Sequence, residues 1–263
     1  MVLTCGFEEA INEKDCRFKH FENHSALGPC YERMKDIKPS DTIVCFRSYV
    51  LTKADFSSLQ PNNKISTVMV DFAFSYLQSL VDHCEASHRV NLIDASQCNF
   101  LIFEDSYQVL DTLKQNQFIF LPIECSHGDW SLLLIYRLKS VAYFYNAWDQ
   151  CQNTIPLAQK IVDRCNERWK CSISIVPLST PQPKDQDDSG VLVCEITALL
   201  MRRLVVAKPG QHLSLGLSEV VFVAAAGRTL LQTLVAELYL RSERLAMASS
   251  STVSPYISRF PIN

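Results

Sequence analysis

Ser189 is the residue best placed to do chemistry. It follows Thr180-Pro-Gln-Pro-Lys-Asp-Gln-Asp-Asp188, a run of turn formers and acids, and precedes Val191 to Val205, where apolar residues recur at helical spacing. The loop therefore delivers Ser189 to a helix N-terminus, where unpaired N–H groups and the helix dipole would lower the pKa of a thiol. A hydroxyl gains little there without an adjacent base. His127, in Cys125-Ser-His-Gly-Asp129, and Asp149 are the nearby groups that could serve as base and acid. They read instead as a solvent-facing loop histidine and a solvated carboxylate, and Cys194 as a small buried thiol. A second constellation, Cys16, His20 and His24 at i, i+4 and i+8 with Cys30 close behind, has zinc-like spacing. The same polar segment reads as a surface extension, and neither a metal nor a cofactor is expected.

Several elements must position these groups. Phe118 to Ile123 is an apolar run of strand length, Asp129 to Tyr136 reads as a second buried strand and Val141 to Tyr145 as a third. Ala158 to Trp169 reads as an amphipathic helix, followed by a strand from Cys171 to Val176. Leu217-Ser218-Glu219 offers a helix start, with Leu, Val and Ala at helical spacing from Val220 to Ala246, crossed by Gly227-Arg228. Residues 1–44 read as an N-terminal extension packed loosely on the main domain of residues 45–206. Residues 207–248 form a helical extension and 249–263 a flexible tail.

The order of these segments resembles the Ulp and sentrin-specific cysteine protease family, and within it the deneddylase branch. There a strand begins with His-Trp, the next ends in Tyr-Asp-Ser, and a Pro-Gln-Gln loop leads to Asp-Cys-Gly at the head of a helix. The same frame here holds Asp129-Trp130, Tyr145-Asn146-Ala147, Pro181-Gln182-Pro183 and Asp188-Ser189-Gly190. Upstream, Leu59 to Leu77 (LQPNNKISTVMVDFAFSYL) is similar to the segment in which Trp-Leu-Asn-Asp precedes an amphipathic helix. The resemblance implies an α+β, papain-like fold, a small mixed sheet flanked by helices.

It also implies a role for each position, and each holds a different residue type. Ser189 stands at the cysteine position and Asp129 at the histidine position, a carboxylate too weak a base to activate serine well. Asn146 takes the orienting aspartate's place. Pro183, at the oxyanion glutamine position, has neither a side-chain donor nor an N–H. Family members clamp a modifier's Gly-Gly tail between two tryptophans. Trp130 keeps the first position, Lys64 replaces the second, and Thr67 stands where an aspartate contacts the tail.

The 263 residues carry a formal charge of −3, which leaves no electrostatic footprint for nucleic acid or an anionic membrane. No stretch reads as a signal peptide or a membrane span, so a cytoplasmic or nuclear protein is expected, its 11 cysteines reduced. The expected function is that of an inactive homologue of modifier proteases acting as a protein-interaction module, with a ubiquitin-like modifier as candidate partner. The alternative is an isopeptidase acting on SUMO or the neddylation modifier.

Overall fold

The computed structural model describes residues 26–82, 88–104, 107–125, 128–148, 154–207 and 213–251. His127, Asp149, Cys16, His20 and His24 lie outside them, as does most of the expected C-terminal tail.

A five-stranded mixed sheet organises the chain. Its strands are β3 (Val90–Leu92), β4 (Phe118–Glu124), β5 (Trp130–Tyr136), β6 (Val141–Asn146) and β7 (Ser174–Leu178), side by side in that order. The outer pairs β3/β4 and β6/β7 run parallel, and the central pairs are antiparallel. Because side chains alternate across a strand, the continuous apolar runs of β4 and β5 feed two cores at once. Phe118, Phe120, Leu132 and Leu134 face α3 (Thr67–Val81), α7 (Ser189–Val206) and α8 (Ala224–Ser251). Ile119, Leu121, Leu133 and Ile135 face α4 (Ala95–Phe103), α5 (Tyr107–Leu113) and α6 (Thr154–Trp169). A hairpin of β1 (Thr42–Phe46) and β2 (Tyr49–Thr52) and the short α1 (Leu27–Met34) and α2 (Lys53–Ser57) join the first core.

Each sheet edge has one donor position withdrawn from further pairing. At β3 the Leu92 N–H donates to Gln78 Oε1 at 2.8 Å. At β7 the Ser174 N–H points toward β6, to Ser140 O, so strand alternation turns positions 175 and 177 outward, and Pro177 has no N–H to offer.

Three boundaries differ from the sequence reading. The described part of the N-terminal segment is not loosely attached: Cys30 and Met34, one turn apart on α1, are buried against the first core, and the boundary at residue 44 falls inside β1. The last helix starts at Ala224 rather than near residue 217. The β-branched and aromatic run Val220-Val-Phe-Val223 is poor in helix propensity, whereas Ala224-Ala-Ala226 is rich in it. The strand expected from Cys171 begins at Ser174, after Lys170 takes a left-handed φ of 54°.

Arg228, on the first turns of α8, ties the C-terminal helix to the rest. It is 4% exposed, and its Nε donates to Asp188 Oδ1 at 2.8 Å. Nη1 donates to Ser58 O and Gln60 O, and Nη2 to Asn63 O and Asp187 O, all between 2.8 and 3.1 Å. Removing one partner of a buried ion pair costs about 3–5 kcal/mol because the other charge is left unmatched. Arg228→Ala is therefore expected to lose about 3 kcal/mol or more in urea unfolding. Arg228→Lys, with three donors in place of a planar fork, should recover less than half of it.

Candidate functional site

The site lies where the N-terminal end of α7 meets the start of β5. Gly190 permits this approach: a Cβ there would stand 2.1 Å from Ile65 Cγ2 and 2.9 Å from Trp130 Cδ1. No other residue lets the helix head settle so closely on the tryptophan. Ser189, first residue of α7 and 1% exposed, is thereby brought against β5, and its Oγ accepts the Trp130 N–H at 3.3 Å. A 3-10 turn, Gln186–Asp188, leads into the helix.

Asp129, just before β5, is 2% exposed and held from two sides. The Gln186 amide nitrogen lies 2.6 Å from both carboxylate oxygens, and Lys64 Nζ is 3.4 Å from Oδ1. Lys64 also reaches Asp187 at 4.0 Å, so the cation spans two acids at the mouth of the site. Gly128, with φ of 72°, makes the turn beneath it, and its Cβ position would lie 3.4 Å from Lys64 Cδ.

Asn146 sits opposite Ser131 in the β5/β6 register, and its Oδ1 accepts from Ser131 Oγ at 3.1 Å and from the Trp148 N–H at 3.4 Å. Pro183 is buried in the preceding loop, and beside it Gln182 turns outward to donate to the carbonyls of Asn146 and Thr180.

The structure thus gathers Ser189, Asp129 and Trp130 at one point, with Asn146 close by on β6. The three residues read as tail contacts divide. Trp130 is 1% exposed and its indole N–H has no partner among the described residues, so the ring is packed as a core aromatic under the head of α7. Lys64 lies over the site as an ion-pair partner. Thr67 bonds Glu124 Oε2 at 3.0 Å, pinning α3 to the end of β4. Cys194 is buried, and burial pushes its thiol well above the ordinary range. Cys30, from the zinc-like constellation, lies against Met34 Sδ at 3.8 Å, and burial raises it to about 11.

Two site residues escaped the sequence reading. Gln186 is the one uncharged member of Asp185-Gln-Asp-Asp188, a signal that could have marked it as a donor among acids. Arg228 is a lone cation in an apolar helical run, which calls for a buried partner. Among the described residues no imidazole stands beside Ser189. His88 is the single described histidine. It precedes β3 at the Phe118/Tyr136 end of the sheet, whereas Trp130 marks the opposite end. Among the described residues no helix is long and apolar enough to cross a membrane.

No protein-family model matches the chain, and no curated protein sequence matches it. Solved structures do. The C-terminal Ulp1 protease domain, determined in complex with Smt3, the yeast ortholog of SUMO, aligns with a TM-score of 0.60 at 15% identity, covering 83% of this chain and 96% of that one. A de-sumoylating protease aligns at 0.60 with 13% identity over 80% and 96% of the two chains. The Chaetomium thermophilum Ulp1-like SUMO protease catalytic domain aligns at 0.58 with 14% identity over 81% and 88%. Sheet order, flanking helices and the helix head against β5 together make this the fold of the Ulp1-like SUMO proteases.

Proposed function

We propose that this chain is a catalytically inactive homologue of the ubiquitin-like-modifier cysteine proteases, nearest the deneddylase branch, that works as a protein-interaction module. The observation that carries the reading is the environment of Asp129. Where a protease of this fold needs an imidazole beside its nucleophile, a buried carboxylate is engaged by Gln186 and Lys64. Ser189 Oγ meanwhile receives a backbone N–H instead of giving a proton to a base. Pro183 supplies no donor for an oxyanion. The substitutions support one another, since Gln186 and Lys64 satisfy the acid that replaces the base. A damaged triad would leave such a group unpaired at a cost of several kcal/mol.

A ubiquitin-like modifier is the candidate partner, because the Ulp1 domain of the same fold was solved with Smt3 bound. A tail groove at this position would be narrow. Trp130 is sealed by α7, and Lys64 crosses the entrance, so a Gly-Gly tail would have to displace an ion pair before touching the ring.

The purified protein is expected to leave SUMO, ubiquitin and neddylation-modifier precursors uncut over hours in a gel-based cleavage assay. Turnover that vanishes on Ser189→Ala would instead establish an isopeptidase.

The single change Ser189→Cys should give a thiol that reacts with a modifier vinyl-sulfone probe no faster than a free cysteine. Burial and the neighbouring Asp129 carboxylate both disfavour the thiolate. The pair Ser189→Cys with Asp129→His restores an acceptor beside the thiol, and labelling should rise by about tenfold or more, read by mass spectrometry.

Titration calorimetry with free SUMO or the neddylation modifier should give a Kd no tighter than about 1 μM, roughly −8 kcal/mol. Lys64→Ala, which opens the entrance, should strengthen binding if the tail is what docks. Trp130→Ala is the poorer probe, since deleting a buried tryptophan costs about 3–5 kcal/mol of stability.

A further inference from the structure

The end of the sheet opposite Ser189 carries a concentration of positive charge. One row of register partners, Val90, Phe118, Tyr136, Val141 and Ser174, crosses all five strands there. Four connections meet along it: residues 88–89 before β3, 114–117 before β4, 137–140 between β5 and β6, and 170–173 before β7. Together they hold His88, Arg89, Lys114, Arg137, Lys139 and Lys170 and not one Asp or Glu. At the Ser189 end the balance is reversed, with Glu124, Asp129, Asp185, Asp187 and Asp188 against Lys64 and Lys184.

The connections are tied to one another, so the cations stand on a fixed frame. Arg89 O accepts the N–H groups of Gln117 and Phe118 at 2.9 Å, the Arg137 N–H donates to Gln117 O at 2.9 Å, and the Ser174 N–H donates to Ser140 O at 3.2 Å. Aromatic rings then orient the side chains. Arg89 Cζ lies 5.9 Å from the centre of the Phe118 ring, Arg137 Cζ 5.1 Å from that of Trp169, and Lys139 Nζ 5.4 Å from that of Tyr136. A ring face attracts a cation through its quadrupole but brings no net negative charge, so the cation is oriented without being neutralised. Arg89 donates to Gln117 Oε1 and Arg137 to Asn116 O, which leaves most of each guanidinium fork uncommitted. Among the described residues Arg89, Arg137, Lys139 and Lys170 form no ion pair. Asp111, on α5, is taken by Arg168, and the exposed Glu167 on the last turn of α6 pairs with none of them.

The chemistry of the surface selects its partner. Leu138, 69% exposed, stands between Arg137 and Lys139. Phe118 and Trp169 are buried beneath their cations, so they offer no face for the base stacking on which single-stranded nucleic acid binding relies. One exposed leucine is too little apolar surface to insert into a membrane. Strands spaced ~4.8 Å apart make the row about 19 Å wide, the reach of about six residues of extended chain. We propose that this end of the sheet docks an extended acidic segment of a partner protein, its carboxylates paired with Arg89, Arg137, Lys139 and Lys170 and one apolar side chain set against Leu138. Guanidinium groups suit carboxylates because the two planar forks pair in parallel. The surface lies at the far end of the sheet from Ser189, so it stands whether that site is inert or active.

The test uses the full-length protein and fluorescein-labelled peptides of about eight residues in which Asp and Glu flank one central leucine. Fluorescence polarisation at about 50 mM salt should give a saturable Kd of about 100 μM or tighter, weakening by about tenfold or more at about 500 mM as the charges are screened. A peptide with Asn and Gln in place of the acids should bind about tenfold or more weakly, and one with serine in place of leucine about threefold more weakly. Lys139→Glu combined with Lys170→Glu reverses two exposed charges and should lower affinity by about tenfold or more with the circular dichroism spectrum unchanged. Amide NMR shifts should concentrate at residues 137–140 and 170–173. Oligothymidine and phosphatidylserine vesicles serve as the nucleic-acid and membrane controls. Equal binding of acidic and neutral peptides, affinity unchanged in the double variant, shifts centred on Ser189, tighter binding to oligothymidine or vesicles than to the peptide, or no saturation at millimolar peptide would each overturn the proposal. Should the variant misfold, the comparison of acidic with neutral peptide on the unaltered protein decides.

Discussion

The saturation of the Arg228 guanidinium is the constraint on which the site depends. One planar group from α8 binds the loop before α3 through three carbonyls, and the turn before α7 through a carbonyl and a carboxylate. Five directed donors hold three segments far apart in sequence, and the fork cannot satisfy all of them unless each backbone is in place. The position of Asp187 and Asp188, and hence of Ser189, is fixed from the C-terminal helix. What reads in sequence as an appended extension is part of the frame that positions the site.

Around that anchor Asp129, Gln186, Lys64 and Asp187 form a closed polar cluster. A helix N-terminus is a suitable place for an anion or an activated nucleophile, because its N–H groups and dipole favour negative charge. Here the charge nearby is Asp129, and its partners among the described residues are a neutral amide and a lysine. The acid is held from two sides. Gly190 adds a steric constraint: the close seat of α7 on Trp130 and Ile65 leaves the tryptophan in the core. The indole N–H has no partner among the described residues at this junction.

The two-faced sheet explains how a chain with so little sequence similarity to its structural counterparts keeps their fold. Strands buried on both faces require only apolar residues of suitable volume, and many sequences meet that demand. The chemistry sits at strand ends and a helix head, where replacement leaves the packing intact. Fold and activity can therefore part company.

The central strands and the helix after Ser189 were legible in the sequence, because continuous apolar runs, helical periodicity and turn-rich loops are local signals, whereas an approach of Ser189 to Trp130 was implied only by the family resemblance. The start of α8 was obscured because Val220 to Val223 continues the apolar pattern while opposing helix by propensity. The N-terminal segment looked detached because its mean polarity hid two residues, Cys30 and Met34, that meet on one helical face. The sequence by itself determined which groups are present: a hydroxyl at Ser189, a carboxylate at Asp129, an amide at Asn146 and a proline at position 183. Only the tertiary structure decided that Gln186 and Lys64 satisfy Asp129, that Trp130 is core and that Arg228 locks the loop. These pairings join residues 40 to 170 positions apart, and no local pattern encodes which distant donor meets which buried acceptor.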